Sequence, residues 1–245
     1  MPSTVDQPDE ERVDGRDARW AAHRHSRRSE LVKAARRAVH HHGPEISMDD
    51  LAAEMGTSKS IIYRYFTDKS GLQGAVGSAV LEDLRGALEA VTEQVIRPRE
   101  RIEAMVGVYV EVVETSPAVY AFVTRAEAPA TAGEVRGFVA EVEDIVAESL
   151  LAVLRPRGDH EEADEALAAL WAAGVVGLVR ATVERWIAAR TSADRPDRIE
   201  GEIAAKDRDE LTTRITDWLW EGAAGVARRA RHDRTRTERH EHDHD

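Results

Sequence analysis

The sequence predicts an all-α protein, a small three-helix head followed by a larger helical body, and three observations carry that reading. Apolar residues recur at spacings of three and four over most of the chain, and strand-like alternation is missing throughout. The breaks in this pattern, at Gly43-Pro44, Ser116-Pro117, Ala128-Pro129-Ala130 and Pro156-Arg157-Gly158, carry the residues that stop helices. A chain of 245 residues is long enough to bury a full core in one large domain or two modest ones.

Taken in order, residues 1–26 are polar and charged, and are expected to be a disordered arm that buries too little to offset its ordering entropy. The basic end of this arm, 19–28, is of a kind that can lie against phosphates or simply stay solvated. A first helix runs from about Ser29 to His42 with Leu31, Ala35, Ala38 and Val39 on one face. Ser47 caps a second, with Asp49 and Asp50 in the turn where the helix dipole favours anions. Gly56 ends it, and Thr57 or Ser58 caps a third. From about Asp68 a long helix carries Leu72, Val76, Val80, Leu84, Leu88, Val91 and Val95, enough to tie the head to the body. Further helices fall near 98–115, 117–126, 131–155, 161–190 and 207–230, with Thr191 to Lys206 read as a polar connection. The expected organisation is thus an arm (1–26), a head (27–72), a body (73–230) and a disordered charged tail (231–245).

Charge divides along the same lines. The net charge of −12 hides one basic against five acidic groups in residues 1–15, eleven against seven in 16–75, and 22 against 34 in the remainder. A basic head on an acidic body suits a nucleic-acid partner at one end only. Cysteine is absent, which excludes disulfides, thiolate metal sites and cysteine nucleophiles and is compatible with a reducing cytoplasm. The first 25 residues lack the apolar segment of an export signal. The longest uncharged apolar run, Ala166 to Val179, is more consistent with a core helix than with a membrane span, so no membrane partner is expected.

The chemistry concentrates in the third helix. At about 100° per residue, Ser60, Tyr63, Arg64 and Thr67 share one face while Ile61, Ile62, Tyr65 and Phe66 turn to the other. Arg64 is able to make a bidentate bond to guanine, and Lys59 and Ser60 lie at the helix start, where base edges are commonly reached. Tyr63 carries a hydroxyl for a phosphate, Thr57 and Ser58 add donors at the same end, and Lys69 suits the phosphate backbone. A plain three-helix structural bundle is the competing reading, and single residues do not separate the two.

The ordered string SMDDLAAEMGTSKSIIYRYFTDKSGL, from Ser47 to Leu72, resembles the DNA-binding domain of the tetracycline-repressor (TetR) family of bacterial transcriptional regulators. Ser47, Leu51-Ala52, Gly56-Thr57-Ser58, Tyr63, Phe66, Lys69 and Leu72 carry the likeness, which covers roughly residues 28–80. The resemblance implies DNA contacts from Thr57, Ser58, Lys59, Ser60, Tyr63, Arg64, Tyr65 and Lys69, with Ser47 and Met48 near the backbone. One departure is a shorter segment between Gly43 and Leu51, with Pro44 where the family commonly has an aromatic residue. The function implied is a homodimeric regulator, a repressor released from a double-stranded DNA operator by a small-molecule effector. The alternative is a helical protein-interaction adaptor that does not bind DNA, a reading supported by the overall acidity.

For the body, Gly174, Gly177 and Leu178 on one helix and Trp218, Leu219 and Gly222 on the last are the expected dimer interface, since they are too small or too apolar for a solvated surface. Met105, Tyr109, Tyr120, Phe122, Arg125 and Trp171 are the expected lining of an effector pocket, with Arg125 or Arg180 available to an anionic group. Its aliphatic surroundings favour an apolar or acyl effector. No cofactor is expected. No catalytic residues are expected, because no phosphate-cradling glycine loop, nucleophile elbow or metal-protease helix is present. Nor is a metal site: His40, His41 and His42 diverge on a helix, and His240, His242 and His244 lie in the charged tail.

Overall fold

The computed structural model describes residues 10–94, 97–124, 129–154, 162–192 and 197–242, and among them every element is a helix. In order these are α1 (Glu10–His42), α2 (Met48–Glu54), α3 (Lys59–Phe66), α4 (Lys69–Gln94), α5 (Pro98–Thr115), α6 (Pro117–Thr124), α7 (Pro129–Leu154), α8 (Glu162–Thr191), α9 (Arg198–Ala204) and α10 (Arg208–His242). They fall into two compact units, Met1–Ala79 with Ala118–Ala130, and Val80–Pro117 with Thr131–Asp245. The helix α4 begins in the first and continues in the second.

In the first unit, Leu31, Ala35 and Val39 of α1 share a core with Leu51, Ile62, Phe66, Leu72, Val76 and Phe122, each no more than 3% exposed. Burying a side chain of this size stabilises by roughly 1.5–3 kcal/mol, so this shared core holds the short helices α2 and α3, which would not persist alone. The Phe122 carbonyl accepts from Gln73 Nε2 at 3.4 Å, tying α6 to the start of α4.

The second unit packs α5 against α10 and α8 against α9. Val110, Val113, Leu150, Val183, Trp186 and Ile215 are essentially sealed from solvent. Trp186 Nε1 donates to the Lys206 carbonyl at 3.0 Å, which satisfies the indole inside an apolar setting. Ion pairs fasten the outer edges, Arg85 to Glu141 at 2.8 Å and Arg99 to Asp217 at 2.7 Å.

Three differences from the sequence expectation stand out. Residues 10–26 are helical rather than a disordered arm, because they prolong a helix that the core has already nucleated, and adding a residue costs far less than starting a turn. Residues 1–9 lie outside the described residues. The same logic carries α10 on to His242, into the segment expected to be a disordered tail, while 243–245 lie outside the described residues. The polar connection from 191 to 206 contains α9, whose Asp197 side chain accepts from the Glu200 amide at 2.8 Å. That capping signal was present in the sequence, hidden among ordinary charges.

Candidate nucleic-acid interface

The turn between α2 and α3 is built residue by residue. Ser47 caps α2 by accepting from the Asp50 amide at 3.2 Å, and its hydroxyl donates to Asp50 Oδ2 at 2.6 Å. At the other end Gly56 takes φ +61°, its amide donates to the Ala53 carbonyl at 3.1 Å, and the Thr57 amide donates to the Ala52 carbonyl at 2.9 Å. That pair of bonds closes a helix through a left-handed residue, a place where glycine avoids the Cβ penalty. Ser58 then caps α3 by accepting from the Ile61 amide at 3.4 Å.

The faces of α3 follow the sequence reading. Ile62 and Phe66 are 0% and 3% exposed, whereas Ser60, Tyr63 and Arg64 are open to solvent. Ile61 and Tyr65 are half-buried at the flanks. The Arg64 guanidinium lies over the Tyr65 ring, 5.4 Å from its centroid, which restrains a long side chain on the exposed face. Lys59 is also exposed in part and pairs with Asp49 of α2 at 2.8 Å. The hydrogen bond to the Asp49 carboxylate holds the Lys59 ammonium above its ordinary pKa, so it stays charged, but a phosphate must compete for it.

Behind this face the chain turns sharply into α4. Thr67 sits at φ +65°, and the Asp68 amide donates to the Phe66 carbonyl at 2.6 Å, a strained γ-turn for a residue with a branched side chain. Asp68 Oδ1 accepts from the Gly71 amide at 2.7 Å. A Cβ on Gly71 would lie 2.0 Å from the Phe66 carbonyl oxygen, so glycine permits this approach of α4 to the end of α3.

The expected DNA contacts therefore divide. Thr57, Ser58, Lys59, Ser60, Tyr63 and Arg64 gather at the start and on the outer face of α3. Tyr65 lies at its edge, and Met48 is half-buried at the start of α2. The Ser47 hydroxyl is engaged in its own cap. Lys69 turns inward instead, donating to the Ile46 carbonyl at 2.8 Å with its ammonium 6.0 Å from the centre of the Phe122 ring. Arg28, at the end of the basic run 19–28, stands over the Phe66 ring at 5.2 Å, within the head as its expected bounds have it. Only its place one turn before Leu31 and Val32 hinted at this contact.

The body contains an apolar cavity of about 130 Å3, lined by residues that include Met105 and Tyr109. Trp171 packs instead against Leu150, Ala168, Ala223 and Ala227. Tyr120 and Phe122 are on α6 in the first unit, Phe122 deep in its core, because the bend at Pro117 separates α6 from α5. Arg125 lies outside the described residues. Of the residues expected at an interface, Leu178 and Trp218 are exposed at 41% and 52%, and Gly174, Gly177 and Gly222 lie on open surface. Leu219 is buried and faces the cavity, one helical step round from Trp218.

A capped pair of short helices, an outward polar face on the second and a separate helical body define a helix-turn-helix DNA-binding regulator. Residues 31–76 match the family described as bacterial regulatory proteins, tetR family, and residues 83–235 match the tetracyclin repressor-like C-terminal domain. The chain belongs to the TetR family of transcriptional regulators, which are not enzymes. It is 35% identical over 189 residues to an uncharacterised HTH-type transcriptional regulator of Mycobacterium tuberculosis, covering 75% of this chain and 77% of that protein. Over 83 residues it is 37% identical to the HTH-type regulator BetI of Agrobacterium fabrum, 34% of this chain and 40% of that one. Among solved structures, a TetR-like regulator from Rhodococcus aligns with TM-score 0.57 and 21% identity, over 80% of this chain and 95% of its own. The fatty acid degradation regulator FadR of Bacillus halodurans aligns with TM-score 0.57 and 14% identity, over 78% and 93%. These structural likenesses speak for the fold. Family membership leaves the adaptor alternative without support.

Proposed function

We propose that the protein is a homodimeric repressor whose two α3 helices read successive major grooves of an operator, and that a small molecule in the body releases it. The observation that carries this reading is the outer face of α8. Its long uncharged run from Ala166 to Val179 is strongly apolar, yet Leu170, Gly174, Gly177 and Leu178 are exposed along it. Trp218 and Gly222 form a comparable exposed strip on α10. A face of small and apolar residues favours close helix packing against a second copy, as in four-helix dimer interfaces. Two heads spaced by about one helical turn of DNA then gain affinity that one short recognition helix lacks.

The helix α4 offers the link between effector and head. Its first turn carries Gly71 against Phe66, while Leu84 and Leu88 farther along line the cavity. An occupant that moves these leucines acts on the same helix that seats α3. The coupling needed is modest, on the order of 1–3 kcal/mol between ligand and DNA sites.

Sedimentation of the full chain, with and without Leu178→Glu, tests the assembly. Wild type is expected to run as a dimer and bind operator DNA two chains to a site. The variant is expected to keep its helicity, run as a monomer and lose tight binding. A variant that remains dimeric removes the α8 interface from the account.

A further inference from the structure

The cavity wall is almost wholly aliphatic, with Leu84, Leu88, Val106, Val142 and Val175 among its residues. Two lining residues, Tyr109 and Arg180, carry polar side-chain groups, and none is acidic. Arg180 is also the one exposed residue of the lining. Several other arginines of this unit are held by carboxylates, Arg85 by Glu82 and Glu141, Arg99 by Glu103 and Asp217, Arg190 by Glu114. Arg180 has no such carboxylate partner among the described residues.

We infer, resting on the reading of this cavity as the effector site, that its ligand is a compact amphiphilic anion whose head pairs with Arg180. A cationic amphiphile entering the same space meets a positive charge and no counter-charge in the lining. A neutral one leaves the guanidinium unused. A carboxylate matches the planar fork of an arginine through two parallel charge-assisted hydrogen bonds. The surrounding chain is acidic, with 22 basic against 34 acidic groups after residue 75, so a local cation is needed to hold an anion there at all. The size of the apolar part follows from the space. Dry protein cavities near 150 Å3 admit benzene, so about 130 Å3 suits an apolar chain or ring of roughly six carbons.

The test is calorimetric titration of the full-length protein with hexanoate, hexanol and hexylamine, before and after Arg180→Gln. This substitution is at an exposed position and is expected to leave the fold intact. Hexanoate is expected to bind about tenfold more tightly than hexanol, the effect of one charge-assisted pair, with hexylamine weakest. Arg180→Gln brings hexanoate down to the level of hexanol and leaves hexanol unchanged. Val142→Phe, which fills the half-buried wall, weakens hexanoate and hexanol together. Equal binding of hexanoate and hexanol by the wild type, or a preference for hexanoate that survives Arg180→Gln, overturns the anion assignment while the cavity reading stands. Binding of none of the three, or binding untouched by Val142→Phe, overturns the cavity reading itself.

Discussion

In the reading head, single atoms decide the geometry: a left-handed Gly56, a γ-turn at Thr67, and a glycine whose missing Cβ leaves room for the Phe66 carbonyl. In the body, long helices are held by aliphatic volume, with Val110, Leu150 and Ile215 sealed and ion pairs confined to the edges. The first kind of structure tolerates few residues at each position, and the second tolerates many of similar volume. This explains why a short ordered string of residues can define the head, whereas no comparably short string defines the body.

The helix α4 allows the sharpest comparison, because Gly71 and Gly86 on it differ in kind. Gly71→Ala drives a Cβ into backbone and is expected to destabilise the protein by about 3 kcal/mol, measured by denaturant unfolding, and to abolish operator binding. Gly86→Ala, exposed with nothing within 4 Å of its Cβ, is expected to stabilise by about 0.5–1 kcal/mol through helix propensity alone. Equal responses at the two sites would erase this distinction between head and body.

Smaller effects probe the outer face. Arg64→Ala is expected to weaken specific DNA binding by about 1–3 kcal/mol in fluorescence anisotropy while the melting temperature holds. Tyr63→Phe removes one hydroxyl and is expected to weaken it by about 0.5–1.5 kcal/mol, again without unfolding. Asp49→Asn has the least effect. It frees Lys59 from its partner, leaves stability unchanged within error, and raises affinity for any DNA a few-fold at low salt.

How much of this was legible in the sequence follows the same division. Ser47, Gly56 and Ser58 announced the caps of α2 and α3, and the apolar positions announced which side of α3 packs. A lysine at a helix start reads as a phosphate ligand, and only the fold reveals the Ile46 carbonyl that Lys69 also reaches. The neighbours of Phe122 and Trp171 were not legible, because helical spacing states which side of a helix is apolar and not which neighbour it meets. Residues 10–26 were read as part of an arm since their helix depends on the core that follows it, not on apolar residues of its own.

The central claim is that α3 reads DNA sequence through its exposed face. It is tested most directly by measuring, across a series of salt concentrations, the affinity of the full-length protein and of Arg64→Ala for DNA flanking its own gene and for unrelated DNA. The expected result is a steeply salt-dependent wild-type complex that favours the flanking DNA, with the variant losing about tenfold or more of that preference. An affinity for both DNAs that is the same in wild type and variant at every salt concentration would contradict it.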